Sequence, residues 1–269
     1  MCRILSVSRS GFYRWSKGRV SRRSQANAQL MEPILRIFQD SHRTYGSPRV
    51  TTALRHQGIC CNKKRVARLM RLNGWVSKIK RRFKCTTRSG HQRSVADNLA
   101  REVMVKASDR LWRSDITYLW TREGWLYLAV FLDAFSRRVV GWSMSHRLTD
   151  QLVLDAFRQA LTNRRPGAGL IAHSDRGSQY CSQSFKELLN QNGFRQSMSA
   201  TGNCYDNALV ESFFGTLKTE LVYHETYHSR DEARRSLFKY IEMFYNRVRI
   251  HSAIGGLSPE QFERLQSVA

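Results

Sequence analysis

The run Trp125-Leu126-Tyr127-Leu128-Ala129-Val130-Phe131-Leu132 carries no charge and almost no polar group. A strand with so little to offer water on either face belongs in the middle of a sheet that is covered on both sides. The neighbouring segments supply partners. Ile116-Thr117-Tyr118-Leu119-Trp120 is strand-like and precedes it across a turn at Glu123-Gly124. Arg138 to Met144 follows it after Asp133-Ala134-Phe135-Ser136. Connections this short predict three antiparallel strands.

The period then changes. Thr149 is placed to cap a helix carrying Leu152, Leu154, Ala156, Phe157 and Leu161 inward, broken at Pro166-Gly167. Leu170 to His173 predicts a short fourth strand, followed by a helix near 182–191 and a strand near 194–198. In the last core helix Val210, Phe214, Leu217 and Leu221 recur at helical spacing as a buried stripe. Three strands, helix, strand, helix, strand, helix is the order of a ribonuclease-H-like α/β fold, a mixed five-stranded sheet with flanking helices. In that fold the first and fourth strands lie side by side.

Three carboxylates take on meaning in this frame. Asp115 precedes the first strand, Asp175 follows the fourth, and Glu211 lies in the last helix with 35 residues between it and Asp175. The topology brings Asp115 to Asp175 across 60 positions of sequence, and Glu211 is expected at the edge of the core rather than in water. Hard oxygen donors converging in this way suit divalent cations, and two-metal phosphoryl transfer uses a pair of ions about 3.5–4 Å apart. Asp115 is the natural bridging ligand, with Asp175 and Glu211 completing one ion each. Lys218, two turns after Glu211 on the same stripe, is placed to hold a phosphate of DNA. Asp133 suits a hairpin loop better than a fourth ligand, and Asp206 suits a helix cap. His173 is expected as a packing or DNA-contact residue, and Gly177 as a turn residue. For Gln179 and Tyr180, packing and DNA contact stay open. His224 and His228 lack the third ligand a zinc site needs.

Charge divides the chain. Of 45 Lys and Arg, residues 1–100 hold 23 against 3 Asp and Glu, and residues 101–269 hold 22 against 18. Such asymmetry points to a polyanion. Within 29–76 a helix with Leu30, Ile34, Ile37 and Phe38 inward is followed by a second that Ser47 caps and Pro48 opens. Asn62 caps a third, with Val66, Leu69 and Met70 inward and Lys63, Lys64, Arg65, Arg68 and Arg71 outward. That is a helix-turn-helix-like pattern with a basic last helix as the candidate DNA contact. Before it, Phe12, Tyr13 and Trp15 ride on a short basic helix, open to either packing or DNA contact. The expected organisation is a basic DNA-binding region (1–76), a basic linker (77–108), a catalytic core (109–222) and a C-terminal helical extension (223–269). No apolar run approaches the roughly 18 residues of a membrane span. The six cysteines form no CxxC pair, so they are expected as reduced thiols in a cytoplasmic protein.

The chain resembles the OrfB transposases of the bacterial family named for insertion sequence three, which are DDE transposases with a retroviral-integrase-like core. The resemblance is carried in order by Thr44-Tyr45-Gly46, Asp115-Ile116-Thr117-Tyr118, Leu132 to Arg138, His173 to Tyr180, Gly202 to Asn207 and Glu211 to Lys218. It continues in Tyr245 to Ala253 and Gly256 to Phe262, with Gly256 standing where an aromatic residue is common. The resemblance implies that Asp115, Asp175 and Glu211 are the catalytic triad and that Lys218 is the associated basic residue. It implies Mg²⁺ as the ion, with Mn²⁺ as a substitute. The expected partners are terminal inverted repeats and target DNA, an upstream-frame product joined by frameshifting, and further copies of the chain on DNA. The zinc-binding His/Cys module of retroviral integrases has no counterpart in these spacings. The alternatives are a nuclease of the same fold and a non-catalytic DNA-binding protein.

Overall fold

The computed structural model describes residues 2–18, 20–78, 96–101, 103–199 and 207–268. The expected linker runs over 79–95, the Gly202–Asp206 motif, Cys85 and Cys204 lie outside these residues. The chain forms two compact units, Met1–Ser77 and Lys78–Ala269.

The first unit is helical. Helix α1 (Arg9–Ser16) is capped by Ser8, whose hydroxyl accepts from the Gly11 amide, and it buries no residue. Phe12, Tyr13 and Trp15 stay exposed rather than entering a core of the described residues. Helix α2 (Arg22–Asp40) buries Leu30, Ile34, Ile37 and Phe38. Against it lie α3 (Ser47–His56), through Val50 and Leu54, and α4 (Lys63–Leu72), through Val66, Leu69 and Met70. Asn62 caps α4 by accepting from the Lys64 amide. Ser47 is not the cap of α3 but its first residue; Gly46 holds the cap position in extended backbone, with no side-chain cap bond. Pro48 behind it needs no amide partner, so the helix starts without one.

The second unit is built on a five-stranded sheet ordered β3-β2-β1-β4-β5. The strands are β1 (Leu111–Thr121), β2 (Gly124–Asp133), β3 (Val139–Ser145), β4 (Ile171–Ser174) and β5 (Arg195–Met198). β1, β2 and β3 run antiparallel as a meander, whereas β4 joins β1 and β5 joins β4 in parallel. β2 is second from one edge and almost wholly buried, as its apolar run requires. β1 starts five residues before the strand-like run at Ile116, because Trp112–Ser114 pair with β2 on one side and β4 on the other. Asp115 accordingly sits inside the strand rather than before it.

Helix α5 (Asp150–Arg164) covers one face of the sheet, with Phe157 against Trp112 and Phe131 at centroid separations of 5.9 and 5.0 Å. Thr149 precedes α5 without making a side-chain cap bond. Helix α6 (Gln183–Gln191) adds Phe185 to the same core. Helix α7 (Ala208–Glu220) buries Val210, Phe213, Phe214 and Leu217, while Leu221 is only half-buried at its end. Helix α8 (Arg230–Phe238) runs on through a π-helical turn, Lys239–Tyr245, and α9 (Pro259–Val268) closes the chain. Glu220 completes the inner face of α7. Its carboxylate takes two 2.8 Å bonds from Arg249 and a 2.9 Å bond from the Tyr240 hydroxyl, all buried. A buried pair so fully bonded offsets its own desolvation, and losing one partner would leave a charge stranded.

α5 approaches the sheet most closely at Gly141 of β3. A Cβ there would overlap the Ala156 carbonyl and lie 2.6 Å from the Ala160 backbone nitrogen. Gly141→Ala is therefore predicted to cost about 1–3 kcal/mol by overpacking. Thermal denaturation checks this as a fall in Tm, and an unchanged Tm would contradict the close approach.

Candidate active site

The site is assembled around one residue of β1. Ser114 pairs with Ser174, the last residue of β4, so the acids that follow each of them, Asp115 and Asp175, leave the ladder side by side. The Ser114 hydroxyl lies 2.7 Å from the hydroxyl of Tyr180, in the segment between β4 and α6. The Ser114 carbonyl accepts from Asn207 Nδ2 at 3.0 Å, and Asn207 is the N-terminal cap residue of α7, the helix that carries Glu211. Neighbours of all three acids thus meet at one serine. Tyr180 is fully buried, and Asn207 is buried with no partner for its Oδ1 among the described residues.

Each acid is held differently. Asp115 Oδ1 accepts from the Ile116 amide at 2.7 Å. The residue keeps some surface, but protein atoms surround its carboxyl, and burial is the first cause that lifts its pKa from 3.8 to about 8. Repulsion from Asp175 and Glu211 adds to the rise, while the Ile116 amide and Lys218 oppose it. Asp175 Oδ1 accepts from the Gly177 amide at 2.9 Å, closing a tight turn. A Cβ on Gly177 would stand 3.0 Å from that same oxygen, which is the physical use of the glycine. Glu211 is exposed, further out than the core edge expected for it, because Phe213 and Phe214 take the inner positions of that turn. Its pKa is raised by partial burial and then by Asp175.

Lys218 extends to within 5.5 Å of the Tyr118 ring centroid. Burial lowers its pKa and Asp115 pulls it back up, so its charge is felt at the acids. Asp175, Glu211 and Lys218 all act on Asp115, which makes these four residues one electrostatic cluster. Among the described residues no three His, Cys, Asp or Glu side chains are gathered as closely as a bound ion would hold them. The donor set nonetheless fits a divalent cation: three carboxylates that supply hard oxygen donors and raise one another's pKa by repulsion.

Other residues resolve into structural roles. Asp133 is fully buried and accepts from the amides of Phe135, Ser136 and Asp109, so it holds the hairpin. His173 is buried between the hydroxyls of Ser197 and Ser199, at 2.9 and 3.2 Å. In the first unit Lys63, Lys64 and Arg71 are exposed on α4, and Arg68 is half-buried. Arg65 differs from its expected outward role, since its Nε donates to Asn27 Oδ1 of α2 at 2.8 Å. Part of its guanidinium ties two helices together. The Ser114–Tyr180–Asn207 clasp escaped the sequence reading. A signal was available, because Ser114 is the one small polar residue between Trp112 and Ile116 on an otherwise apolar strand face.

The raised Asp115 pKa fixes a sign. The unfolded chain gives up this proton near pH 4 and the folded chain near 8, so the group's contribution to stability falls as pH rises between them. In metal-free protein Asp115→Asn is predicted to raise Tm at pH 8, with a gain that shrinks at pH 5.5. Scanning calorimetry at both values checks it, and a gain independent of pH would contradict the shift.

Known proteins extend the picture. Integrase core domain families match residues 105–204 and 211–266, and an HTH-like domain family matches 24–83. The transposase InsF for insertion sequence IS3A of Escherichia coli (strain K12) is 47% identical over 266 residues, covering 98% of this chain and 92% of that protein. The 31 kDa protein of insertion element IS600 from Shigella sonnei is 43% identical over 263 residues, covering 97% of each. Among solved structures, the catalytic core domain of HTLV-2 integrase is 20% identical, with a TM-score of 0.46, and covers 59% of this chain and 98% of that one. With an integrase core behind an HTH-like domain and this identity along nearly its whole length, the chain belongs to the IS3 family of DNA transposases, polynucleotidyl transferases of insertion sequences.

Proposed function

We propose that Asp115, Asp175 and Glu211 are the catalytic carboxylates of this transposase and that together they hold Mg²⁺, with Mn²⁺ able to replace it. The observation that carries the proposal is the pairing of Ser114 with Ser174, which brings Asp115 and Asp175 side by side, where Asp175 and Glu211 both raise the Asp115 pKa. When bound, the cations activate an attacking hydroxyl and offset charge on the leaving oxygen. The chain's residues do the rest. Asp115, anchored by the Ile116 amide, would be the ligand shared between the cations, with Asp175 and Glu211 completing one each. Lys218 engages a phosphate oxygen beside the scissile bond. Water attacks the phosphodiester at the element's end and frees a 3′-hydroxyl. That hydroxyl then attacks a target phosphodiester in line and expels a 3′ oxygen. One P–O bond forms as another breaks in each step, so no protein–DNA bond is required.

The first unit, by this proposal, delivers the DNA. Lys63, Lys64, Arg68 and Arg71 contact phosphates, with the remaining donors of Arg65 beside them, and contacts of that kind set position rather than sequence preference. The substrates are the terminal inverted repeats and target DNA. The working enzyme joins an upstream-frame product by frameshifting and assembles as several copies on DNA.

A strand-transfer assay on pre-cleaved element ends tests the catalytic assignment. Asp115→Asn, Asp175→Asn and Glu211→Gln are each predicted to abolish joining and leave DNA binding unchanged. Joining by any of them would overturn the triad, and hydrolysis without joining by the wild type would favour the nuclease alternative. Tyr180→Phe removes only the hydroxyl that meets Ser114. It is predicted to lower the joining rate by about 10–100-fold, as loss of a supporting partner of a ligand does. A wild-type rate in that variant would mean the clasp does not position the acids.

A further inference from the structure

One end of the β1–β2 hairpin is lined with rings that the sheet does not bury. Tyr118 stands opposite Tyr127, and Trp120 opposite Trp125. Residues two apart on a strand share a face, as do directly paired residues, so all four rings lie on one side. Further along that face Ile116 and Ala129 enter the core, but toward the turn the rings emerge, with Tyr118 51%, Trp120 57% and Trp125 43% exposed. They form a continuous row: Trp120 to Trp125 at 4.8 Å, Trp125 to Tyr118 at 5.1 Å and Tyr118 to Tyr127 at 6.4 Å. Tyr127 is half-buried against the core, and cross-strand pairing alone does not require the other three rings to be left toward water.

The position of the row says what it meets. Its first member, Tyr118, is three residues from Asp115 on the same strand. β4 pairs with β1 only as far as Ser114, so this stretch of β1 has no strand on that side. Lys218 bridges the two regions, with its ammonium over the Tyr118 ring and its charge acting on Asp115. A cation that holds a phosphate beside the acids therefore leaves the adjoining nucleotide next to an aromatic surface. A base in duplex is already stacked. An unpaired base offers both faces, and aromatic rows next to a backbone-binding cation are how proteins hold single strands.

We propose that Tyr118, Trp120 and Trp125 form a stacking platform for an unpaired nucleobase of the DNA strand next to the scissile phosphate. This rests on the assignment of Asp115 and Lys218 to the reaction site. The ligand class is single-stranded DNA at a frayed or forked end, bound without base preference. Duplex binding is left to the basic first unit.

The test uses the full chain and two probes of equal length and arbitrary sequence, a blunt duplex and a duplex forked by four unpaired thymidines. Wild type is expected to bind the fork about tenfold more tightly, the scale of one or two stacked bases. Trp120→Ala/Trp125→Ala should lose that preference and keep its affinity for the blunt duplex, whereas Trp120→Phe/Trp125→Phe should retain most of it. A melting curve close to wild type shows that the alanine variant is folded; if it is not, Trp120→Ala alone is measured, with about a threefold loss expected. A fork preference that survives in the folded alanine variant overturns the platform. A shift in sedimentation without DNA, with the preference intact, also overturns it and identifies the rings as a contact between copies. Asp115→Asn separates the two proposals: it should keep the fork preference while losing strand transfer. If Asp115→Asn still joins ends, the reaction-site assignment fails whatever the tryptophan variants do.

Discussion

Four residue pairs of parallel ladder between β1 and β4 decide where the proposed reaction site of this chain lies. The ladder ends at Ser114 and Ser174, and the next residue on each strand is an aspartate. Two carboxylates brought together by backbone pairing repel each other without a means of relaxing apart. The fold accepts this cost because the backbone hydrogen bonds and the buried Trp112–Phe131–Phe157 core outweigh it. The Ser114 hydroxyl and carbonyl then recruit the β4–α6 segment through Tyr180 and α7 through Asn207. A small polar residue inside a strand thus sets the mutual position of acids 60 and 96 positions apart in the sequence.

The charges of the protein are arranged on two scales. Across the sequence the excess of Lys and Arg is concentrated in residues 1–100, where the helical unit meets a polyanion through long-range attraction. Within the catalytic unit the charge is nearly balanced and the placement is local. Glu220 and Arg249 neutralise each other beneath α7. Arg164 is shared between Asp109 and Glu263. Around Asp115 the neighbouring acids raise its pKa by repulsion, and the charge of Lys218 opposes them. Repelling carboxylates gathered in this way, two of them half-buried, are an expensive feature for structure alone, which supports the proposal that a cation and a phosphate bind there.

Much of this was legible in the sequence, for identifiable reasons. The apolar run Trp125–Leu132 announced a central strand because burial on both faces leaves a pattern that needs no tertiary information. The helices of the first unit were legible from period and from the cap at Asn62, which acts through a bond to an amide two residues away. The pairing of β1 with β4 followed from element order. The less legible parts depend on contacts distant in sequence. The start of β1 was missed because Arg113 and Asp115 interrupt its apolar pattern, and only pairing on both sides keeps those residues in the strand. The Tyr180–Ser114 bond spans 66 positions, and the Glu220–Arg249 pair spans 29. Glu220 stood in plain sight three residues after Leu217 on the buried stripe of α7, yet a carboxylate there has meaning only once Arg249 is found. The exposure of Glu211 likewise depends on which of Phe213 and Phe214 the core accepts; it accepts both.

The central claim is that Asp115, Asp175 and Glu211 constitute one cation site. Titration of Mn²⁺ into the DNA-free chain, followed by electron paramagnetic resonance of the free ion, measures it most directly. Wild type is predicted to bind Mn²⁺ in competition with Mg²⁺, and Asp115→Asn is predicted to lose that binding while remaining folded. Undiminished Mn²⁺ binding by folded Asp115→Asn would contradict the account.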